Sequence, residues 1–340
     1  MSKFKKKHLI SAFSLLGNRL IDPDEELINI INSEHHYNAW FTPQSTMQAV
    51  KAIGGSLNET DIRTWLNKYP EPNEGIKKTG LILAGNIPLV GFHDVLCVLA
   101  TGNHALIKAS TQDARLIKQV LKTLVEIEPA FANQFSFIER LVDFDAVIAT
   151  GSNNSSRYFD YYFSKVPNII RKNRNSVAVL TGKESTDELN QLGHDIFDYY
   201  GLGCRNVSKL FVPEEYDFTP FFEAIESYQP IINHHKYNNN YDYNKSIYLV
   251  NGDKHLDNGF LLVKQDDRMA SPLAVVYTEY YKDEQAISAI LSRESENIQC
   301  IVSRLPLNVS NQVVAPGQSQ QPALWDYADG IDTMDFLSNL

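Results

Sequence analysis

The chain has 340 residues, of which 43 % are hydrophobic, 21 % charged and 11 % aromatic. This composition indicates a soluble globular protein with a core large enough for two domains, and it excludes disordered, collagen-like and membrane-bundle proteins. Forty-one acidic against 31 basic residues give a formal net charge of -10, which argues against a general nucleic-acid-binding role. The three cysteines, Cys97, Cys204 and Cys300, fit neither a disulfide framework nor a structural zinc site, and they indicate a reducing compartment.

Residues 1–75 are predicted to form an N-terminal helical segment. Four lysines ahead of the apolar stretch LISAFSLLG imitate a secretory signal, but no small-residue cleavage site follows them. No stretch reaches the 18 apolar residues of a membrane span. Apolar residues recur at helical spacing as far as the break YPEPNEG. We therefore expect a cytoplasmic protein.

After this break the pattern changes to short apolar runs of strand length. LILAG, HALIK, DAVIAT and SVAVLT are separated by segments of helical length or periodicity. Alternation of strands and helices predicts a parallel, doubly wound sheet. We assign a first α/β domain to residues 76–184.

A further helix, residues 185–200, leads through the Gly-rich turn YGLGCRN to a second group of predicted strands. These are VSKLFVP, SIYLVNG, GFLLVKQ and LAVVYTEYY, and they define a second α/β domain over residues 185–315. Within this group HHKYNNNYDYN, residues 234–244, is predicted to be a solvated surface loop because it is polar and Asn-rich. Its adjacent histidines lack the spacing of metal ligands, and no metal is expected. The tail, residues 316–340, becomes apolar enough to dock back onto the fold.

Cys204 is the candidate nucleophile. It lies between Gly201, Gly203 and a predicted strand, in a turn where missing side chains leave room for a substrate. The neighbouring Arg205 favours the thiolate, which is the reactive form of cysteine. The other two cysteines lie inside apolar runs and are expected to be buried and inert.

Three turns that follow predicted strands could bind ligands. Asn86, in GNIPLVGF after the strand LILA, could donate to a developing oxyanion, although Gly, Asn and Pro also form ordinary turns. Lys108 ends the next strand, where it could bind a nucleotide ribose or phosphate. Gly151 and Ser152 lie between a strand and a helix, where amide groups and the helix dipole favour an anion. Neither a GxGxxG nor a Walker sequence is present.

Taken in order, these motifs resemble the aldehyde dehydrogenase superfamily. Within it the chain is similar to the acyl-CoA reductases related to the bioluminescence fatty-acid reductase subunit, which share the GNxPLVG sequence. The resemblance covers residues 78–330. It implies an aldehyde-dehydrogenase-like fold, with two doubly wound α/β domains and the active site between them. It also implies that residues 76–184 bind the nucleotide, that residues 185–315 carry the catalytic cysteine, and that the protein is a homo-oligomer.

The resemblance also implies individual roles. Cys204 matches the nucleophile that forms an acyl-enzyme thioester, and Asn86 matches the side chain of the oxyanion site. The implied cofactor-binding residues are Lys108, Ser110, Thr111, Gly151, Ser152, Thr181 and Gly182.

The departures from the family pattern refine the expected reaction. Val179 stands where hydrolytic aldehyde dehydrogenases have a general-base glutamate, so water should be poorly activated and the acyl group should exchange with a thiol such as CoA. The sequence KAST after the second strand lacks the ribose-binding glutamate, which favours NADPH, with NADH as an alternative. The dehydrogenase motif ExFGP is reduced to Met269–Pro272. We expect NADPH-dependent reduction of an acyl-CoA, with a fatty acyl chain, to an aldehyde.

Two alternatives stay open at this point. Arg205 beside the cysteine is compatible with an acyl-phosphate reductase of the semialdehyde-forming kind. The altered motifs are also compatible with a catalytically inactive interaction subunit of the same fold. The sequence does not choose a proton donor among His194, His234 and His235.

Overall fold

A computed structural model describes residues 4–73 and 75–340. The chain divides into two compact units. Unit 1 contains the chain up to Asn173 together with Pro322–Leu340, and unit 2 contains Arg174–Gln321. The strand that was expected to end the first domain, SVAVLT, belongs to the sheet of unit 2. The observed boundary therefore precedes the predicted one at residue 185.

Unit 1 begins with four helices, which lie in the segment that the sequence predicted to be helical without giving their number, and it continues as alternating strands and helices. Its helices are α1 Lys6–Ile21, α2 Glu25–Ser33, α3 Pro43–Ser56, α4 Glu59–Leu66, α5 Phe92–Ala100, α6 Ala114–Ile127, α7 Asn153–Phe163 and, in the tail, α12 Thr333–Ser338. Its strands are β1 Lys78–Ile82, β2 His104–Lys108, β3 Phe135–Phe137, β4 Ala146–Thr150 and β5 Asn168–Arg171. Short 3₁₀ helices cover Glu34–His36, Pro129–Asn133 and Ala328–Gly330.

The five strands of unit 1 form a parallel sheet in the order β3-β2-β1-β4-β5. Val147 and Ile148 of β4 are both fully buried although they point to opposite faces, so the sheet is covered on both sides. Helix α1 contributes to this core because its apolar residues recur every three or four positions, as in Leu9, Phe13, Leu16 and Leu20.

The tail residues 322–340 complete the core of unit 1. Leu324, Met334 and Leu337 are buried in the same apolar cluster as α1 and α5. Polar contacts fix the tail as well, since the indole Nε1 of Trp65 donates to the Tyr327 hydroxyl at 2.7 Å.

Unit 2 contains a larger sheet. Its strands are β6 Asn175–Val179, β7 Val207–Pro213, β8 Leu256–Asp257, β9 Leu262–Gln265, β10 Val275–Tyr281, β11 Ile298–Ser303 and β12 Gln312–Val314. Its helices are α8 Thr186–Phe197, α9 Thr219–Ala224, α10 His235–Asn251 and α11 Glu284–Arg293, with 3₁₀ helices at Asp198–Gly201 and Glu226–Asn233. The strand order is β12-β11-β6-β7-β10-β9-β8, and only the β8–β9 pair is antiparallel among the described residues.

Successive residues of β6 and β7 belong to two different apolar clusters. Ala178 and Leu210 pack in one cluster, and Val177 and Phe211 pack in the other. Because neighbouring side chains of a strand point to opposite faces, this sheet is also buried on both sides. The predicted α/β class with parallel sheets is confirmed.

One segment of unit 2 was predicted wrongly. Residues 234–244, expected as a surface loop, and SIYLVNG, expected as a strand, together form helix α10. Its buried residues Tyr237, Tyr241, Asn244 and Tyr248 recur at the spacing of one helix face. The Tyr237 hydroxyl donates to the carbonyl of Phe260 at 3.0 Å, so the polar end of this buried ring is satisfied inside the unit.

Candidate functional site

In unit 1 the ligand-binding candidates lie at the carboxyl ends of adjacent strands. Asn86 follows β1, Lys108 ends β2, and Gly151 and Ser152 follow β4. The chain leaves β1 in one direction toward β2 and β3, then returns to place β4 on the other side of β1. Open α/β sheets bind ligands outside the carboxyl ends of their strands at such a switch point. The structure therefore groups these four predicted residues at one edge of the sheet.

The turn that carries Asn86 is held closely against the chain after β2. Asn86 is exposed, whereas Gly85 before it and Leu89 after it are buried. A Cβ atom added at Gly85 would lie 2.6 Å from the Cβ of Ser110, so only glycine fits there. Leu89 has a φ of 57°, a conformation that costs energy for a residue with a side chain.

The residues after β2 present side-chain donors. Lys108 and Thr111 are exposed, and Ser110 is half-buried. The Ser110 hydroxyl accepts the Gln112 backbone N–H at 3.3 Å, which orders this turn. An amine and two hydroxyls are suited to the phosphate and ribose oxygens of a nucleotide.

The turn after β4 uses some of its donors within the protein. The Gly151 N–H donates to the Arg171 carbonyl at 3.3 Å. Ser152 is the N-cap of α7, and its hydroxyl accepts the Ser155 N–H at 3.2 Å. The positive end of the α7 dipole still lies at this edge and favours an anion.

In unit 2, Cys204 lies on a strained turn between α8 and β7. Tyr199, Tyr200 and Gly201 have φ values of 54°, 60° and 78°, three consecutive left-handed residues. Left-handed conformations of non-glycine residues persist only where their surroundings enforce them, and they are common at functional sites. Cys204 itself is half-buried, whereas Cys97 and Cys300 are fully buried.

Asn206 enforces this turn. Its Oδ1 accepts the Gly203 N–H at 2.8 Å, while its Nδ2 lies within hydrogen-bond distance of the carbonyls of Asp195, Ile196 and Asp198, at 2.8 to 3.3 Å. The side chain thus joins the last turn of α8 to the residue before Cys204. Asn206 was not among the predicted site residues; its position in the Gly-rich turn was the available signal, because asparagine often bonds to turn backbone.

A second contact fixes Cys204 from the neighbouring strands. The Ser176 hydroxyl donates to the Cys204 carbonyl at 3.1 Å, and the Cys300 sulfur lies 3.1 Å from the same hydroxyl. Burial raises the pKa of the Cys300 and Cys97 thiols, so both favour the unreactive protonated form. The prediction that these two cysteines are buried is confirmed.

Thr181 and Gly182 do not lie near Cys204. Cys204 is held at the amino end of β6, where Ser176 lies, whereas Thr181 and Gly182 follow the carboxyl end of that strand. The five residues from Ser176 to Thr181 correspond to roughly 16 Å of strand. The Thr181 and Gly182 backbone N–H groups both donate to the Glu184 carboxylate, at 2.6 and 3.0 Å.

Val179, at the position of the missing general base, is 1 % exposed and belongs to the apolar cluster on one face of the sheet. It lies on β6, three residues beyond Ser176.

The three histidines considered as proton donors have different surroundings. The Nδ1 of His194 lies 3.2 Å from the Asp198 carboxylate. His234 is the N-cap of α10 and packs against Tyr200, with ring centroids 4.4 Å apart, while His235 packs against His234. Tyr200 belongs to the strained turn, so His234 contacts the segment that leads to Cys204.

Among residues 4–73 and 75–340, no group of three or more His, Cys, Asp or Glu side chains could hold a metal ion. Within the same ranges no helix has both the length and the apolar character needed to cross a membrane.

Comparison with known proteins gives a family and a fold. The family model described as acyl-CoA reductase (LuxC) matches residues 57–227, which is half of the chain. A comparison with curated proteins gives no match.

Solved structures, among them aldehyde dehydrogenases, share the fold at low sequence identity. Aldehyde dehydrogenase 21 from Physcomitrella patens is 14 % identical, with a TM-score of 0.71, and the match covers 99 % of this chain and 85 % of that chain. A NAD-dependent benzaldehyde dehydrogenase from Corynebacterium glutamicum is 12 % identical, with a TM-score of 0.68 and coverages of 94 % and 84 %. An NADP-dependent enzyme from E. coli is 11 % identical, with a TM-score of 0.69 and coverages of 92 % and 78 %.

The family match includes β1, the Asn86 turn, the residues after β2 and β4, and the Cys204 turn. The protein is therefore an oxidoreductase that belongs to the acyl-CoA reductase (LuxC) family, and it has the fold of the aldehyde dehydrogenases.

Proposed function

We propose that this protein reduces a fatty acyl-CoA thioester to the aldehyde, with NADPH as the reductant and Cys204 as the nucleophile. The observation that carries the proposal is the placement of Cys204. Of the three cysteines it alone is not buried, and it lies on a strained turn fixed by Asn206. Family membership supports acyl reduction, and this turn supplies a thiol in a defined position for it.

In the first step the Cys204 sulfur attacks the carbonyl carbon of the thioester. The carbon–sulfur bond to CoA breaks, the CoA thiolate leaves, and the acyl group remains as a thioester of Cys204. The tetrahedral intermediate carries a negative oxygen, which needs donors fixed in advance. We assign the Cys204 backbone N–H and the Asn86 amide to this task, the latter on the family resemblance.

The nicotinamide cofactor is assigned to the carboxyl edge of the unit 1 sheet. The donor set fits a dinucleotide phosphate, because Lys108, Ser110, Thr111 and Ser152 supply an amine and hydroxyls beside the positive end of α7. When bound there, NADPH would supply a hydride to the carbonyl carbon of the Cys204 thioester. The carbon–sulfur bond then breaks, the aldehyde leaves and the Cys204 thiolate is restored. No carboxylate occupies the KAST segment to repel a 2′-phosphate, which favours NADPH, and NADH is the alternative.

We also assign Thr181 and Gly182 to cofactor binding, as the family resemblance implies. In this role their backbone N–H groups, which donate to the Glu184 carboxylate, would donate to a cofactor oxygen instead. The proposal also includes a cytoplasmic location, an acyl-CoA or acyl-carrier thioester as substrate, and a homo-oligomeric state, as the family resemblance implies.

The test is to trap the acyl group. Incubation with dodecanoyl-CoA in the absence of a reductant should add one dodecanoyl mass to the protein, and peptide mapping should place it on Cys204. Cys204→Ser should gain no thioester and should lose acyl-CoA-dependent NADPH oxidation by more than about a thousandfold. Cys97→Ala, a change at a buried cysteine, is the matched control and should be labelled like the wild type.

The two alternative functions, an acyl-phosphate reductase and an inactive interaction subunit, predict different results in this experiment. Labelling by dodecanoyl phosphate but not by dodecanoyl-CoA would favour an acyl-phosphate reductase. Loss of neither labelling nor turnover in Cys204→Ser would overturn the assignment of the nucleophile. A protein that neither binds NADPH nor becomes acylated would instead be an inactive interaction subunit.

A further inference from the structure

Two segments of unit 1 that carry different proposed roles lie side by side. Residues 83–89 include Asn86, and residues 108–113 include Lys108, Ser110 and Thr111, three of the proposed cofactor residues; we call the contact between the two segments the loop seam. The Leu83 N–H donates to the Lys108 carbonyl at 3.1 Å. Next along the seam, Gly85 lies against the side chain of Ser110. The seam ends where the Leu89 N–H donates to the Asp113 Oδ2 at 2.9 Å.

The side chain of Asp113 does not make the hydrogen bond that is usual at its position in a helix. Asp113 is the N-cap residue of α6, where an aspartate normally accepts an N–H of the first helical turn, but its side chain makes no such bond. The carboxyl group instead contacts the Asn86 turn, and Asp113 is only 4 % exposed. Its other oxygen, Oδ1, is buried without a hydrogen-bond partner among the described residues. A favourable helix cap has therefore been replaced by a contact with the turn.

The contact is made at the strained point of that turn. Leu89 has a left-handed backbone, with a φ of 57°, and such residues persist only when neighbouring contacts hold them. Because Leu89 is buried, its N–H would lose a partner without Asp113, and water could not easily replace it. Asp113 is therefore the side chain that stabilises the conformation of the turn.

The surroundings favour a neutral carboxyl group. Burial raises the pKa of Asp113, and the nearby Glu34 carboxyl acts in the same direction. Glu34 is itself paired with Arg115 of α6, with 3.0 Å between Oε1 and Nη1. A neutral carboxyl can accept the Leu89 N–H while avoiding the cost of a buried charge.

We propose that Asp113 is a positioning residue that holds the Asn86 turn in its reactive conformation, and that the loop seam couples nucleotide binding at residues 108–111 to acylation of Cys204. This inference rests on the proposed function. A nucleotide phosphate or ribose bound by Lys108 and Ser110 would order one side of the seam. The Gly85 and Leu89 contacts would then restrict the turn on the other side, which pre-organises the Asn86 amide.

The test measures the rate of Cys204 acylation by dodecanoyl-CoA, with and without NADP⁺, which binds as the nucleotide but cannot reduce the acyl group. In the wild type, NADP⁺ should accelerate acylation. Asp113→Ala should acylate about ten- to a hundredfold more slowly and should lose the response to NADP⁺. Asp113→Leu, which fills the same space without an acceptor, tests the same point if the alanine variant does not fold.

Two further variants separate positioning from general stability. Asp113→Asn keeps an oxygen acceptor for the Leu89 N–H and should restore both the rate and the NADP⁺ response. Asn103→Ala is the matched structural control: Asn103 is fully buried at the amino end of β2, away from the Asn86 edge, and bonds the Leu337 carbonyl at 3.1 Å. It should lose stability but acylate like the wild type.

Each outcome has a clear meaning. A wild-type rate and NADP⁺ response in Asp113→Leu would overturn the inference while leaving the proposed function intact. Absence of any NADP⁺ response in the wild type would overturn the coupling. A wild-type protein that is not acylated at Cys204 would overturn the proposed function, and the inference with it.

Discussion

The position of Cys204 depends on one side chain that does no chemistry itself. Asn206 uses its oxygen for the Gly203 N–H and its nitrogen for carbonyl groups at the end of α8. It is 2 % exposed, so these backbone groups have little access to water if the side chain is removed. Buried groups left without partners cost about 1 to 3 kcal/mol each.

Asn206→Ala should therefore lower the free energy of unfolding by roughly 2 to 4 kcal/mol. It should also slow acylation of Cys204, because the turn is then free to leave its left-handed conformation. Urea denaturation and the dodecanoyl-CoA labelling rate measure the two effects.

The matched control for this change is Asn190→Ala. Asn190 also donates to backbone, with its Nδ2 2.8 Å from the Ala224 carbonyl, and its other side-chain partner is the Ser227 hydroxyl, so both of these bonds are made outside the turn. This variant should lose stability and retain the wild-type labelling rate. Equal labelling in wild type and Asn206→Ala would show that the side chain does not position the sulfur.

Asp113 gives a prediction for pH. A carboxyl group in the unfolded chain titrates near pH 4, whereas burial raises the pKa of Asp113 in the folded protein. Between these two values the folded state binds more protons than the unfolded state, so the free energy of unfolding falls as pH rises. Asp113→Asn removes this dependence, and its stability relative to the wild type should increase as pH rises above about 4.

Denaturation at a series of pH values measures this difference. The pKa of Glu34 is also raised by burial, against the effect of Arg115, but both groups are present in both proteins and largely cancel. A constant difference between the two proteins across the pH range would mean that Asp113 is already ionised in the folded state.

At the scale of whole elements, the strand pattern was predictable and the placement of motifs along the strands was not. Short apolar runs identify β1, β2, β4 and β6 because strands buried on both faces are apolar throughout. The pattern does not show which sheet a strand joins. Thus β6 pairs with β7 and β11 in unit 2, and the turn after it lies at the opposite edge from Cys204.

Helix α10 is an element that the sequence pattern did not predict. Its mean composition is polar, so composition predicted a loop, but the tyrosines follow the helical period. Tyrosine has a large apolar ring and one hydroxyl, and a buried partner such as the Phe260 carbonyl satisfies that hydroxyl. Polar partners of this kind come from distant parts of the chain and cannot be read from a local pattern.

Some residues of the candidate site could be predicted from the sequence and others could not. Cys204, Asn86 and Lys108 could be singled out because residue type and a neighbouring strand end suggest chemistry. Asn206 and Asp113 could not, because each acts through a backbone group of another segment.

At the scale of the molecule, the last residues of the chain close unit 1. The Tyr327 hydroxyl accepts from the Trp65 indole and lies 2.7 Å from the Tyr69 hydroxyl, and the Arg171 guanidinium donates to Thr333 at 2.9 Å. These contacts join the tail to α4 and β5. Their loss should release the tail without removing any residue proposed to bind substrate.

Tyr327→Phe should therefore lower the free energy of unfolding by about 1 to 3 kcal/mol, because the buried Trp65 indole N–H loses its acceptor. Urea denaturation measures the change, and proteolysis of the tail should become faster. The control is Tyr161→Phe, which alters a side chain that is 79 % exposed and should shift stability by less than about 0.5 kcal/mol. Equal effects in the two variants would contradict the importance of the tail contact.

The return of the tail also orders events during synthesis. Unit 1 needs Leu324, Met334 and Leu337 for its core, yet residues 174–321 must be made first. At about 5 to 20 residues per second, the ribosome needs roughly 7 to 30 s for that segment. During this interval the apolar surface that will receive the tail is uncovered, while unit 2 is one continuous stretch. We therefore expect unit 2, although second in the sequence, to complete its core first, and the nascent unit 1 to be the part most in need of chaperones.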